Sequence, residues 1–253
     1  MDRIGASDRQ REREIQTRLQ MRIERRHELV LRRLILDAMR KMADAFEADE
    51  PLEAVASEHR EAVARALDTE WRQAAMTSGQ RILEAAQQRH GRGAAVLKEM
   101  PESFMSAIKG WMLRFGGEKI LRISRTTQSQ VQAMVLRGQE EGLGQQDIAD
   151  LIRDRALQFS RGRAGVIART ESHAAFQFGQ QAAAENSGLE MRKEWIAAKD
   201  ERTRIDHGAA DGNLTDLHGS FIVGGERLAH PGDPAGSPEN VINCRCATGF
   251  VAK

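Results

Sequence analysis

The chain has very little cysteine and few aromatic residues. Its 253 residues include two cysteines and no tyrosine, and aromatic residues make up 4% of the total. Cys244 and Cys246 are separated by one residue, and a disulfide between neighbours at that spacing would require strained geometry. Two cysteines leave little scope for a disulfide framework, and we expect the two thiols to be free or bound to a metal.

Long apolar runs and an excess of charge of one sign are also missing. No segment approaches the roughly 18 to 20 apolar residues of a membrane-spanning helix, and the N-terminal MDRIGASDRQ lacks the apolar stretch of a secretory signal. The 38 basic and 37 acidic side chains give a net charge of +1, which provides no overall field for holding a polyanion. We therefore expect a soluble protein made in a reducing cytoplasm, with no membrane partner and with nucleic acid only as an indirect partner.

Apolar residues recur at helical spacing through the first part of the chain. A capping-box pattern of Ser7 and Gln10 opens a long amphipathic helix that extends to about Phe46. Pro51 is placed to begin a second helix, which Gly91 ends. Further helices are predicted from Pro101 to the Gly116–Gly117 pair, from about Lys119 to Glu141, over a short stretch around Ile148–Ile152, and from about Arg161 to Gly188.

The pattern changes after Gly188. The alternation in LEMRKEWIAAKD favours a strand that contains Trp195, the glycine pair in FIVGGERL indicates a hairpin, and VINCRCATGFV supplies a final strand. The predicted fold class is α+β and predominantly α. Residues 1–142 are predicted to form a long-helix bundle or docking arm, and residues 143–253 a small module of helices with short antiparallel strands.

Cys244 and Cys246 are candidate metal ligands. On an extended segment their side chains point to the same side, while Arg245 points to the other. A zinc ion needs two more ligands, and three histidines precede the cysteines in an irregular segment: His207, His218 and His230. The alternative is that the cysteines are small buried thiols that pack a short strand. The cofactor prediction is therefore either none or zinc.

The segment AKDERTRIDHG concentrates polar residues directly after the Trp195 strand, among them Asp200, Arg202, Thr203 and His207. One interpretation is an acid/base or metal-dependent site, in which His207 activates water and an aspartate holds a cation. The interpretation we favour is a hydrogen-bonded turn whose carboxylates satisfy loop amides and arginines.

A second polar group lies on the preceding helix. ARTESHAAF places Arg169 and His173 four residues apart, with Glu171 on a different face. We expect Arg169 or Glu171 to reach the DERTR loop and to tie the helix to the sheet through charge-assisted hydrogen bonds. The alternative is a solvated polar stripe.

These segments occur in a characteristic order: IARTESHAAF, EWIAAKDERTRIDH and PGDPAGSPENVINCRC. Together they resemble the C-terminal domain of the Mu-F-like phage head morphogenesis family, the minor capsid proteins, over about residues 145–250. The resemblance is carried by Arg169, Thr170, Glu171, Trp195, Asp200, Arg202, Thr203, His207, Asn243, Cys244, Arg245 and Cys246. It gives these residues motif positions and no catalytic role.

The resemblance implies a minor head protein of a tailed phage or phage-like particle, made in the host cytoplasm during assembly and present in the virion at the portal vertex. Its partners would be the portal protein or other head proteins, with self-association through the N-terminal helices and an influence on DNA packaging or ejection. We therefore expect a structural protein and not an enzyme. The alternative is a metal-dependent hydrolase or nuclease that uses His207, Asp200 and Glu171. A transferase-like or toxin-like domain is less favoured, because the sequence has no evident nucleotide-binding cradle.

Overall fold

The long helical segments predicted from the sequence are present. A computed structural model describes residues 4–89 and 100–252. Its four long helices are α1 (Ala6–Glu47), α2 (Leu52–Arg89), α3 (Glu102–Glu140) and α4 (Gln145–Glu185). The shorter elements that follow are β1 (Met191–Ile196), α5 (Ile205–Ala209), β2 (Leu214–Asp216), β3 (Phe221–Val223), β4 (Glu226–Leu228), α6 (Pro238–Val241) and β5 (Ala247–Ala252). The fold is predominantly α with short antiparallel strands in a small C-terminal part, as predicted.

The first two helices form as expected, because their apolar residues repeat every three to four positions and line one face. In α1 this face includes Leu31, Ile35 and Met42, which are almost completely buried. The second helix starts directly after Pro51, and its predicted end at Gly91 lies outside the described residues. No described helix has the apolar length that a membrane crossing needs.

Two predicted helix breaks are absent. Helix α3 continues through Gly116 and Gly117, and α4 is one helix of 41 residues, so the prediction of separate helices in both regions was wrong. A glycine inside a helix costs only about 1 kcal/mol relative to alanine. Buried apolar residues occur on both sides of each predicted break: Ile108 and Ile123 in α3, and Ile152 and Ile167 in α4. In α3 their burial outweighs the local preference of Gly116 and Gly117 for a break.

By spatial contact the chain forms two compact units, each assembled from separate stretches. The first comprises residues 1–24, 70–112 and 169–253, and the second comprises residues 25–69 and 113–168. The predicted boundary after residue 142 lies in the turn between α3 and α4, inside the second unit, and it stays a prediction.

The second unit has an apolar core and ion pairs at its surface. The core includes Leu31, Ile35, Met39, Leu67, Ile148 and Ile152. At the surface, Arg153 donates to Asp44 at 2.6 Å and to Asp150 at 2.8 Å, and it also pairs with Glu47. Exposed ion pairs of this kind are each worth at most about 1 kcal/mol, so burial of the core supplies most of the stability.

In the first unit, α2 and α4 approach closely where Gly179 faces Ala75. A Cβ atom on Gly179 would lie 2.5 Å from Ala75 Cα and 2.6 Å from Ser78 Oγ. The Ser78 hydroxyl donates to the Phe176 carbonyl oxygen at 2.7 Å. An apolar cluster in this unit includes Ala75, Ile82, Leu83, Phe104, Ile108, Ala182, Ala183, Met191 and Leu217. This unit therefore joins α2 to elements of the C-terminal half of the chain.

Strand β1 is the central strand of a three-stranded antiparallel sheet with the order β2-β1-β5. Trp195 pairs with Thr248 of β5, and Arg192 pairs with Asp216 of β2. Five of the six β1 residues are buried, including Lys193 and Glu194. The polar and apolar alternation that predicted the strand therefore does not correspond to one solvent-exposed face and one buried face.

Strands β3 and β4 form the predicted hairpin. Gly224 and Gly225 connect them with φ angles of 57° and 78°, the left-handed values that a two-residue type I′ turn requires. Strand β2 and helix α5 were not predicted, and α5 begins in the segment that was expected to be a turn. Strand β5 begins at Ala247, so Cys244 and Cys246 precede the final strand and were wrongly placed within it.

Candidate functional site

Asp200 organises the loop that follows β1. Its Oδ1 atom accepts hydrogen bonds from the Arg202 amide and the Thr203 hydroxyl, each at 3.0 Å. The Thr203 hydroxyl oxygen accepts in turn from the Asp200 amide at 3.0 Å. An aspartate that closes its own turn in this way supports the interpretation of the DERTR segment as a hydrogen-bonded turn.

The same carboxylate is bound by Arg245. Its Nη2 atom lies 3.1 Å from Oδ1 and 3.0 Å from Oδ2 of Asp200. We expected Arg169 or Glu171 to reach this loop, whereas the arginine found on Asp200 comes from the segment that leads into β5. Because both side chains of this pair are partly exposed to solvent, the pair contributes at most about 1 kcal/mol.

Arg169 and Thr170 on α4 hold the chain at Asn243. Arg169 donates to Asn243 Oδ1 at 2.9 Å and pairs with Glu24 at 2.8 Å. The backbone N–H of Asn243 donates to the Thr170 hydroxyl oxygen at 3.2 Å. Asn243 has a φ angle of 59°, a left-handed conformation that asparagine adopts more readily than most residues. The residue that follows this turn is the buried Cys244.

Glu171 is buried and bound to a different part of the molecule. Its Oε2 atom accepts a hydrogen bond from Trp71 Nε1 at 3.2 Å. The Trp71 ring packs edge-on against Trp111, with 5.8 Å between ring centroids. Buried indole N–H groups usually find such a partner, which gives Glu171 a structural task.

His207, Cys244 and Cys246 come together inside the first unit. The Nδ1 atom of His207 lies 3.7 Å from Cys244 Sγ and 3.5 Å from Cys246 Sγ, and the three atoms lie within 4.8 Å of one another. Each of the three residues is 2% exposed. Trp195 packs edge-on against the imidazole, with 5.5 Å between ring centroids. Within residues 4–89 and 100–252, no other group of three or more such ligands was found.

The two thiols differ in acidity. A hydrogen bond from Cys246 lowers the pKa of the Cys244 thiol, against the opposing effect of burial. The pKa of Cys246 is raised, first because it donates to Cys244 and second because it is buried. Two neighbouring thiols that interact in this way lose their protons in two separate steps, and the second proton is held more tightly than the first.

The other residues considered as ligands lie outside this group. His218 is exposed and pairs with Glu185 at 3.4 Å, and the His230 Nδ1 atom lies 3.1 Å from the Pro231 carbonyl oxygen. The Asp200 and Glu171 carboxylates, which the enzyme alternative combines with a histidine, are held by the separate partners described above.

His173 lies beside the cysteine group. Its spacing of four residues from Arg169 did not predict this position. It is 3% exposed, and neither ring nitrogen has a hydrogen-bond partner among the described residues. Burial lowers its pKa to about 3. His173 and Cys244 both line a cavity of about 150 Å³. Pockets for drug-sized ligands usually measure roughly 300 to 1,000 Å³, so this cavity suits water or an ion better than a substrate of nucleotide size.

Sequence reasoning also missed Glu194, a fully buried carboxylate in β1. It accepts hydrogen bonds from the Ile4 amide at 3.1 Å and from Arg9 at 3.2 Å. Glutamate is almost never fully buried unless it is paired, and these bonds attach the start of the described chain to the sheet. The strand pattern gave no sign of them, because both partners lie far away in sequence.

The region that carries these contacts is similar to a known family. Residues 129–249 match the family described as Phage Mu protein F like protein. The match covers slightly less than half of the 253-residue chain. It confirms the resemblance seen in the sequence.

Two curated proteins are similar to the chain. The Minor head protein GP7 of Bacillus phage SPP1 is 35% identical over 121 residues, which are 46% of this chain and 38% of that protein. An NAD(+)–arginine ADP-ribosyltransferase of Enterococcus faecalis is 32% identical over 121 residues, which are 45% of this chain and 24% of that protein. The chain therefore spans well under half the length of either relative. No solved structure matches the chain at a significant level.

Proposed function

We propose that the protein is a minor head protein of a tailed phage or phage-like particle, and that it acts as a structural and assembly component at the portal vertex. The observation that carries this proposal is the match of residues 129–249 to the Mu protein F like family, together with the similarity to the SPP1 minor head protein. A protein of this kind is made in the host cytoplasm and becomes part of the virion. Its partners are then other head components, the portal protein first among them.

The bonding within the motif supports a structural role. A general acid or base must come within hydrogen-bond reach of the substrate proton that it transfers. Glu171 is buried against Trp71, Asp200 is engaged by its own turn and by Arg245, and His207 faces two sulfur atoms. Because these side chains bond to the protein itself, they stabilise its shape and do not converge on a common substrate position.

The second unit offers exposed apolar side chains on its long helices. Leu29 on α1 and Leu136 on α3 are 61% and 60% exposed. We assign the contact with other head proteins to these helices. Ile205, which is 90% exposed on α5 in the first unit, provides a control position of similar character.

The portal assignment can be tested by co-expressing the chain with the portal protein of the phage or prophage that encodes it. We expect the two proteins to co-purify and to co-sediment, and we expect the chain in purified particles by mass spectrometry. Leu29→Glu combined with Leu136→Glu should reduce co-purification while the circular dichroism spectrum is unchanged, whereas Ile205→Glu should not. Absence from purified particles together with no co-migration with the portal would contradict the proposal.

The enzyme alternative needs its own assay, because one relative is named as an ADP-ribosyltransferase. The shared region is only 24% of that protein, so its named activity is not assigned to this chain. The full chain should be incubated with DNA and Mg²⁺, Mn²⁺ or Zn²⁺, and separately with labelled NAD⁺ and an arginine-containing acceptor. We expect no turnover. Activity that is lost in His207→Gln or Glu171→Gln and kept in His218→Gln would replace the structural proposal.

A further inference from the structure

Both nitrogen–sulfur separations in the cysteine group match those that one tetrahedral metal ion imposes. Zinc binds thiolate sulfur at about 2.3 Å and imidazole nitrogen at about 2.0 to 2.1 Å, so tetrahedral angles place a nitrogen and a sulfur ligand about 3.6 Å apart. The His207 Nδ1 atom lies 3.7 Å from one sulfur and 3.5 Å from the other. All three ligand atoms lie within 4.8 Å of one another, so they surround a common point.

The Nδ1 atom of His207 is shared between the two sulfur atoms. A ring nitrogen carries at most one hydrogen atom, yet Nδ1 of His207 lies at nearly equal distances from Cys244 Sγ and Cys246 Sγ. The other ring nitrogen of His207 is buried without a hydrogen-bond partner among the described residues. A metal ion between the three atoms would engage Nδ1 and both sulfurs at once.

The ligands are packed in place within the protein. Trp195 packs at right angles against the His207 imidazole ring, and each of the three ligand residues is 2% exposed. Side chains that are already held in the bound position lose little freedom on binding, so the ligands do not have to be ordered when the ion binds.

The choice of ion follows from the ligand types. Two thiolates and one imidazole are typical of zinc, whereas magnesium and calcium prefer oxygen ligands. Zinc sites with three protein ligands take a fourth ligand from solvent. The cavity of about 150 Å³ beside Cys244 and His173 is large enough to hold water.

We propose that His207, Cys244 and Cys246 bind one zinc ion, which fastens helix α5 to the segment that leads into β5. The two thiols release their protons to solvent as the ion binds, and the imidazole coordinates in its neutral form. His207 and Cys244 are 37 positions apart in sequence, so the ion closes a long loop that contains β2, β3, β4 and α6. This site is independent of the proposed role in the phage head.

The direct test is the zinc content of the tag-free full-length protein, purified without chelators and measured by elemental mass spectrometry. We expect roughly one zinc per chain, and X-ray absorption distances of about 2.3 Å to two sulfur atoms and about 2.0 Å to nitrogen or oxygen. Cobalt substitution should give thiolate-to-metal charge-transfer bands in the near ultraviolet. The His207→Gln and Cys244→Ser/Cys246→Ser variants should lose the metal, whereas the control His230→Gln, which changes a buried histidine outside the group, should retain it.

A second measurement covers the case in which these variants do not fold. A mercurial reagent titrated into the wild-type protein should release zinc in proportion to thiol modification, followed with pyridylazoresorcinol. Zinc-loaded protein should also react with a thiol reagent many-fold more slowly than protein stripped with phenanthroline. The proposal is overturned if the wild-type protein holds no zinc after equilibration with an equimolar amount, or if thiol modification releases none.

Discussion

The close approach of α2 and α4 at Gly179 leads to a sharp prediction about stability. Gly179 lies in the region that matches the phage family, whereas Ala75 and Ser78 lie on α2, outside that region. We expect Gly179→Ala to destabilise the protein, because the added methyl group would overlap the Ala75 backbone and the Ser78 hydroxyl. The substitution therefore tests whether α2 and α4 pack in one folded unit, in contrast to the predicted division after residue 142.

The size of the effect follows from two opposing contributions. Alanine is favoured over glycine inside a helix by about 1 kcal/mol. Overpacking a tight contact costs about 1 to 3 kcal/mol, and the upper part of this range applies because Ala75 Cα is 2.5 Å from the added atom and belongs to the backbone. No side-chain rotation can relieve that overlap. The net destabilisation is about 2 kcal/mol, which lowers Tm by about 4 to 8 °C for a chain of this size.

Gly110→Ala is the matched control, since Gly110 lies inside α3 in the same unit and a Cβ there meets nothing within 4 Å. Only the helix preference acts at this position, so Tm should rise by about 2 to 4 °C. Thermal unfolding followed by far-ultraviolet circular dichroism measures both variants. If Gly179→Ala melts at or above the temperature of Gly110→Ala, the close packing of α2 on α4 is refuted.

Two further predictions concern charge. Burial lowers the pKa of His59 to about 4. Between pH 6.5 and 4 the unfolded chain therefore binds more protons than the folded chain, and the free energy of unfolding decreases as the pH is lowered. In urea titrations at pH 7 and pH 4, His59→Gln should remove up to about 3 kcal/mol of that loss, and equal acid sensitivity of the two proteins would contradict this assignment. Arg169→Met removes the bonds to Asn243 and Glu24 and should cost about 1.5 to 3 kcal/mol in urea unfolding. The exposed Arg161→Met on the same helix should change stability by less than about 0.5 kcal/mol, and equal effects of the two substitutions would show that the Arg169 contacts contribute nothing.

The parts of the fold that the sequence predicted are those in which one local signal dominates. Apolar residues recur at helical spacing along α1, and the Gly224–Gly225 pair admits the left-handed turn that joins β3 to β4. The break expected in α3 at Gly116 and Gly117 failed for the opposite reason. Glycine preference is worth about 1 kcal/mol, and the burial of neighbouring apolar residues exceeds it, which no local pattern reveals.

The site was predictable only as far as short-range geometry reaches. Residues two positions apart on an extended segment share a side, and this places both cysteine sulfurs together, as observed. The contacts of the α4 residues could not be read in the same way. Glu171 bonds to Trp71 across 100 positions, and Arg169 pairs with Glu24 on the first helix. Such partners are fixed by the packing of long helices, and a single sequence does not encode their register in any local motif.

The segment from Asn243 to Cys246 shows how one short motif serves two kinds of contact. Asn243 and Arg245 bond to polar groups on α4 and in the loop after β1, whereas Cys244 and Cys246 face His207. Alternate positions thus carry the polar contacts and the soft ligands separately. Every residue of this motif has a contact within the protein that helps to hold the start of β5 in place. Because these side chains bond to other parts of the protein, we interpret the motif as a structural one.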